Sequence, residues 1–245
     1  MPIPSGAVAG AAAGAMALAA ILQDLAAGLP LPEADAGAVA STARRIAVVY
    51  APRLTLRSEV AAVAGLLAVG VRSVARAARP RDAAPALYAA ADAASVAYPT
   101  SASPALTRFY ALARSLAAGV EAVALGEAFL AEARTEYADR RAATDARARV
   151  TAALDASTDR IAGALGPVVY ARLAAVAREV STHLARQAAD LQPIVQVEAG
   201  RSYPSTAVAW TLYGDPARAP ELVARNQVGT PLFMPARLEA VSPRA

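Results

Sequence analysis

The sequence predicts a mainly α-helical protein: an alanine-rich helical bundle or long helical hairpin, followed by a small C-terminal module of order strand, helix, helix, strand. Three observations carry this expectation. Apolar residues make up 56% of the 245 residues but aromatics only 5%, because alanine, the strongest helix former, supplies most of the apolar count. Apolar positions recur at steps of three, four and seven between Pro and Gly breaks. Beyond Pro193 that period gives way to alternation at each end of a segment with two short helical patterns.

Taken in order, a first helix is expected from about Ala7 to Ala27, ending at Gly28 with Pro30 and Pro32 beyond it. A second covers roughly Ala36 to Tyr50 and stops before Pro52. A third starts near Ser58, carries Val60, Val63, Leu67, Val71 and Val74 on one face, and ends before Pro80. The run RPRDAAP reads as a connector, with a short helix to Tyr98 and a PTSASP loop after it. These residues, 1–103, form the first expected region.

The second region, 104–192, is more regular. Ser103 is expected to cap a helix with Pro104 at its first position. Phe109, Leu112, Leu116, Val120, Val123 and Leu130 make one stripe on a long helix. The charged run EARTEYADRRAATDARARV is either a solvated continuation of that helix or the exposed turn of a hairpin. Val150, Leu154, Ile161 and Leu165 resume the stripe until Gly166-Pro167. Val169, Leu173, Val176, Val180, Leu184 and Leu191 follow with heptad-like spacing.

The third region, 193–245, carries the chemistry-rich residues. PIVQVEAG alternates and reads as a strand ending at Gly200. Ser205 or Thr206 is the expected N-cap of a helix holding Val208, Trp210 and Leu212, closed by Gly214. Asp215-Pro216 restarts the chain into a helix with Leu222 and Val223 inward and Asn226 near its end. PARLEAV, with Leu238 and Val241, reads as the second strand.

Composition narrows the function classes. There is no Cys, which removes disulfides and thiolate metal sites. All 24 basic residues are Arg, which reads as codon usage in a GC-rich genome; the net charge of +4 is modest and the acids are interspersed, so nucleic acid is not the expected partner. Gly6 to Leu22 is uncharged, with Gly6, Gly10 and Gly14 at GxxxG spacing. Its Ala/Gly content, its length just short of a bilayer span and the lack of flanking basic residues favour a buried small-residue helix over a signal peptide or membrane contact by 6–22.

From Val195 to Val241 the chain resembles a LysM-type module. The resemblance rests on Val197, Gly200, Ser202, Tyr213-Gly214-Asp215, Leu222, Asn226, Pro231, Phe233, Pro235 and Leu238. It implies either binding of N-acetylglucosamine polymers or a structural place in a phage tail. The segment YPSTAVAWTLYGDPARAPELVARNQVGTPLFMPARLEAVS is similar to the C-terminal end of the Mu-like phage DNA circularisation protein family. Pro204, Ser205, Ala209, Leu212, Tyr213, Gly214, Asp215, Arg218, Glu221, Val223, Arg225, Asn226, Pro231, Phe233, Pro235 and Leu238 carry that likeness. Two departures stand out: nothing here reads as the family's β-rich N-terminal domain, and Thr230 stands where the family often has His.

What the resemblance implies is a structural protein of a phage or phage-like tail. Its place would be a baseplate hub or tube-initiating component in the virion, assembled in the bacterial cytoplasm. The partners would be tube, hub and tape-measure proteins, and other copies of this chain in a symmetric homo-oligomer. A peptidoglycan-binding module on a helical stalk is the alternative, and DNA-end binding a third. The expected interaction or structural residues are Trp210, Tyr213, Gly214, Asp215, Arg225, Asn226, Pro231, Phe233 and Pro235. Gly214 permits the turn, Asp215 caps the next helix and Asn226 satisfies backbone around the following turn, while Trp210 or Tyr213 offers a ring for a sugar face.

No enzyme and no cofactor are expected. His183, with Glu179 one turn earlier, is too few ligands for a metal. Asp139, Asp145, Asp155 and Asp159 lie among arginines and read as a solvated salt-bridge face. Ser202 and Ser205 have no His nearby in sequence, and GAVAGAAAG lacks the Lys of a phosphate loop. The run from Arg140 to Val150 suits carboxylate contacts across a protein interface.

Overall fold

A computed structural model describes residues 5–242. The chain is about 75% helical, with a two-stranded antiparallel sheet near its C-terminus. Its Cα positions cluster into two compact units. One comprises Met1–Thr135 and Ala148–Ser181, the other Glu136–Arg147 and Thr182–Ala245.

The first unit is built on α1 (Ser5–Ala27), α2 (Glu33–Arg45), α3 (Arg57–Ala77), α4 (Pro80–Ser95), α5 (Pro104–Phe109) and α6 (Ala111–Arg134). Parts of α7 (Arg140–Leu165) and α8 (Pro167–Asp190) complete it. α6 packs against α1, α3 and α4. Val60, Val63, Leu67, Val71 and Val74 are all buried, so the expected face of α3 points into the bundle. Each such side chain contributes roughly 1.5–3 kcal/mol on leaving water.

α1 and α3 have the length and mean hydropathy of a bilayer span, but each also buries one face within this unit. On α1 that face is made of Ala7, Ala11, Ala15, Leu18, Ala19 and Leu22. The glycine spacing of α1 has a local cause. A Cβ at Gly10 would lie 2.7 Å from the Tyr110 ring, and one at Gly14 would lie 3.3 Å from the Ala113 Cβ. Only a helix lacking those atoms can approach the start of α6 this closely.

Several expectations are corrected. RPRDAAP is not a connector but the beginning of α4: Pro80 occupies the first helical position, where its missing N–H costs nothing. Pro85 lies inside the same helix. The second helix runs from Glu33 and opens at Ile46–Tyr50 into a π-helical turn, in which the Ala51 amide donates to the Ile46 carbonyl. Pro52 cannot donate to the Val48 carbonyl, and the widened turn accommodates that loss.

The long helix expected from Pro104 breaks at Tyr110, and Ser103 makes no side-chain cap. On α6 the single stripe holds only in part: Leu116 and Val120 are buried. Phe109 and Leu130 are exposed, whereas Ala113, Ala117, Ala124, Leu125, Ala128 and Phe129 are buried. α6 is enclosed on most sides, and alanine on every side leaves no apolar period to read. The charged run after it is a break at 135–139 followed by α7, and Glu132, Thr135 and Asp139 in or before that break are buried rather than solvated.

The second unit holds β1 (Ile194–Glu198), α9 (Ser205–Tyr213), α10 (Ala219–Arg225) and β2 (Arg237–Val241). The strands pair antiparallel, with Val197 opposite Leu238 and Val195 opposite Ala240. Leu238 and Val241 are both buried, as expected, and so is Ala240; Leu238 and Ala240, two residues apart, belong to the same core cluster. The core joins Leu238 and Ala240 to Val208, Ala209, Ala219, Leu222 and Met234.

Candidate interaction surface

Turn chemistry fixes the segment between α9 and α10. Pro204, not Ser205 or Thr206, is the residue before α9; Ser205 is buried, and its amide donates to the Pro231 carbonyl at 2.7 Å. α9 closes at Gly214, whose φ of 67° is left-handed and free of cost only for glycine. Asp215 then accepts the Ala217 amide at 2.8 Å and caps a 3-10 turn, Pro216–Arg218, that leads into α10.

Arg218 sits over the face of Tyr213, its guanidinium carbon 3.7 Å from the ring centroid, and also reaches Glu221 at 2.8 Å. The Tyr213 hydroxyl is buried, and among the described residues only the Val241 backbone comes near enough to act on it as a hydrogen-bonding group. Burial first, and the Glu221 charge second, push its pKa above the ordinary tyrosine range; the Arg218 charge opposes this, and the Val241 backbone does so more weakly. A cleft of about 440 Å³ beside it is lined by Asp190, Gln192, Leu212, Tyr213, Arg218 and Ser242.

Asn226 does more than the sequence suggested. Its Nδ2 donates to the carbonyls of Leu222 and Glu239, both at 2.9 Å, and its Oδ1 accepts the Glu239 amide at 2.7 Å. The amide thus imitates a neighbouring strand along β2 and ties the end of α10 to the sheet, rather than bridging the loop that follows it. Arg225, one residue earlier, pairs with Asp139 at 2.9 Å, with side-chain exposures of 13% and 8%. Its Nε is buried without a partner among the described residues. Asp139 also accepts the Ala142 amide at 2.9 Å at the start of α7. The structure therefore separates Asp139 from Asp145, Asp155 and Asp159, which are exposed as expected.

The remaining expected residues face outward. Trp210 is 63% exposed and Phe233 68%; Leu232, absent from the expected set, is 61% exposed beside it. Pro231 and Pro235 are also exposed, and the inward residue of that run is Met234, whose amide bonds the Tyr203 carbonyl at 2.9 Å. His183 is exposed, and no group of three His, Cys, Asp or Glu side chains that could hold a metal is present among the described residues.

Sequence reading missed the Asp139 partner of Arg225. The Asp-Arg-Arg-Ala sequence opening α7 was an N-cap signal, but a contact spanning 86 residues leaves no local pattern. It also missed that Arg218 covers one face of Tyr213.

Fold and surface together define a helical bundle protein with a compact strand–helix–helix–strand unit. In that unit Gly214, Asp215, Arg225 and Asn226 serve internal structure, while Trp210, Leu232 and Phe233 face solvent. No protein-family model and no curated protein matches the chain.

Proposed function

We propose that the chain is a structural component of a phage or phage-like tail, a hub or tube-initiating protein of the baseplate that works by assembly rather than turnover. The LysM-like reading of the C-terminal unit belongs to this proposal. The observation that carries it is the division of labour among the motif residues. Gly214, Asp215, Arg225 and Asn226 are each accounted for by a turn, a cap, an ion pair or a backbone clamp. Trp210, Leu232 and Phe233 have no internal role comparable to these and remain exposed. Exposed aromatics of this kind supply the anchors of protein–protein interfaces.

The test is the protein content of tail particles purified from the producing bacterium. The chain should be present in stoichiometric amount, and Phe233→Asp should leave the protein folded but absent from the particles. Particles that lack the wild-type chain would overturn the proposal.

Trp210 favours a second reading, glycan binding, since an exposed indole can stack on a sugar ring. Tyr213 contributes little to it, because Arg218 already covers a face of its ring. Retention on purified sacculi that is lost in Trp210→Ala but kept in Tyr213→Ala would support that reading.

A further inference from the structure

The bundle unit carries an open apolar groove of about 530 Å³ between the π-helical turn and α3. Leu54 and Val63 are its buried floor, and Val49, Tyr50 and Leu66 line its sides. The turn that Pro52 imposes leaves Val48 69% and Val49 38% exposed, with Leu56 38% exposed nearby in sequence. Contiguous exposed apolar residues mark a binding surface, and π-helical turns are frequent at such places.

Charge identifies the occupant. Between Asp35 and Glu59 the sequence has no acidic residue but has Arg44, Arg45, Arg53 and Arg57, all exposed. None of the four forms an ion pair among the described residues. Arg53 lines the groove, and Arg45 bonds the Tyr50 hydroxyl at 2.7 Å on its wall. Arg57 is the first residue of α3, the helix end at which a cation is disfavoured.

The one carboxylate in the wall, Glu59, is already engaged. It accepts the amides of Thr55 and Leu56 at 2.6 and 2.9 Å and the Thr55 hydroxyl at 3.1 Å. The groove is thus apolar within, with the Arg53 guanidinium in its lining and that of Arg45 against its Tyr50 wall.

We propose that this groove docks an acidic amphipathic helix of a partner protein, its apolar stripe against Val49, Leu54 and Leu66 and its carboxylates on Arg45, Arg53 and Arg57. Helical ridges fit a groove between helical segments, and guanidinium groups take carboxylates in paired hydrogen bonds. A bilayer surface is a poorer match, because the apolar residues Leu54 and Val63 lie at the bottom of a concavity. The inference does not depend on the C-terminal unit or on the tail reading.

The full chain is titrated into a fluorescein-labelled amphipathic Leu/Glu peptide of about four helical turns, read by anisotropy. The same peptide with Lys for Glu, and phosphatidylglycerol vesicles, are run in parallel. Saturable binding of the acidic peptide alone is expected. It should weaken roughly tenfold or more in the Arg53→Glu/Arg57→Glu variant, and also in Val49→Asp. The double variant alters exposed residues and adds an acid at a helix N-terminus, so it should keep wild-type thermal stability. Equal binding of both peptides, no saturable binding of the acidic one, or insensitivity to the charge reversal overturns the proposal. So does binding to the vesicles by a protein that ignores the acidic peptide.

Discussion

Arg160 on α7 closes on Glu121 of α6 with two guanidinium nitrogens, 2.6 and 3.0 Å from one carboxylate oxygen. Eleven residues further along α6, Glu132 meets Arg149, eleven residues earlier on α7, at 2.8 Å. Eleven residues are close to three helical turns, so both acids lie on one face of α6 and both arginines on one face of α7. The two ion pairs fix antiparallel helices in a single register. Glu121 and Glu132 are almost fully buried, whereas their arginines reach solvent. The hydrogen bonds that Arg160 donates to Glu121, together with the charge of that carboxylate, push the guanidinium pKa above its ordinary value.

Removing the arginine and removing the acid should therefore have unequal consequences. Arg160→Ala strands a buried carboxylate and is expected to cost about 3 kcal/mol, the lower end for such pairs because Arg160 is 41% exposed. Glu121→Met removes the charge with its burial penalty and should cost less than about 1.5 kcal/mol. Urea denaturation of the two variants measures the difference; equal losses would refute the account.

Glycine substitutions should divide by what surrounds them. Alanine at Gly119 meets nothing within 4 Å and is expected to stabilise by roughly 0.5–1 kcal/mol. Alanine at Gly10 meets the Tyr110 ring at 2.7 Å. Overpacking of about 1–3 kcal/mol should there exceed the gain in helix propensity. Thermal melts of both variants should shift in opposite directions.

Asn226 offers a charge test at nearly constant shape. Asn226→Asp keeps an acceptor for the Glu239 amide but turns an oxygen toward the Glu239 and Leu222 carbonyls. A loss of about 2–3 kcal/mol is expected at neutral pH, partly recovered when acid protonates the new carboxyl. Asn226→Ala should lose a similar amount with no such recovery. Melting curves across pH distinguish the two.

Acid should weaken the tie between Asp139 and Arg225. Burial works against ionisation of Asp139, but the Ala142 amide, followed by the Arg225 hydrogen bond and charge, outweighs it and holds the carboxyl below its ordinary range. The contribution is complete above the unfolded aspartate value of about 3.9, and is lost as pH falls from there through the lower folded value. The stability gap between wild type and Asp139→Asn should be constant near neutrality and close below about pH 4.

The legibility of this sequence followed the size of its side chains. Where α3 uses Val and Leu on one face and small or polar residues elsewhere, the face was readable and is the buried one. Where α6 uses alanine all round, spacing carried less: Leu116 and Val120 are buried as read, but Leu130 is exposed, as is Phe109 on α5. Proline misled at Pro80 because the residue that stops a helix interior is favoured at its first position. Gly214 and Asp215 were readable because turn chemistry is local, whereas the partners of Glu121, Glu132 and Asp139 lie on other segments and leave no nearby trace.

The alanine seams of α1, α4 and α6 have a consequence for how this protein can change over time. At Ala11, Ala15, Ala91, Ala94, Ala124 and Ala128 the side chain is a single methyl group already enclosed. Of the residues one nucleotide away from an alanine codon, only glycine is smaller. Drift at these positions therefore pushes almost entirely toward bulk, and the lineage has few neutral neighbours there. Variation should accumulate instead on the outward aliphatic and charged positions, so that the interior ages slowly while the surface is rewritten.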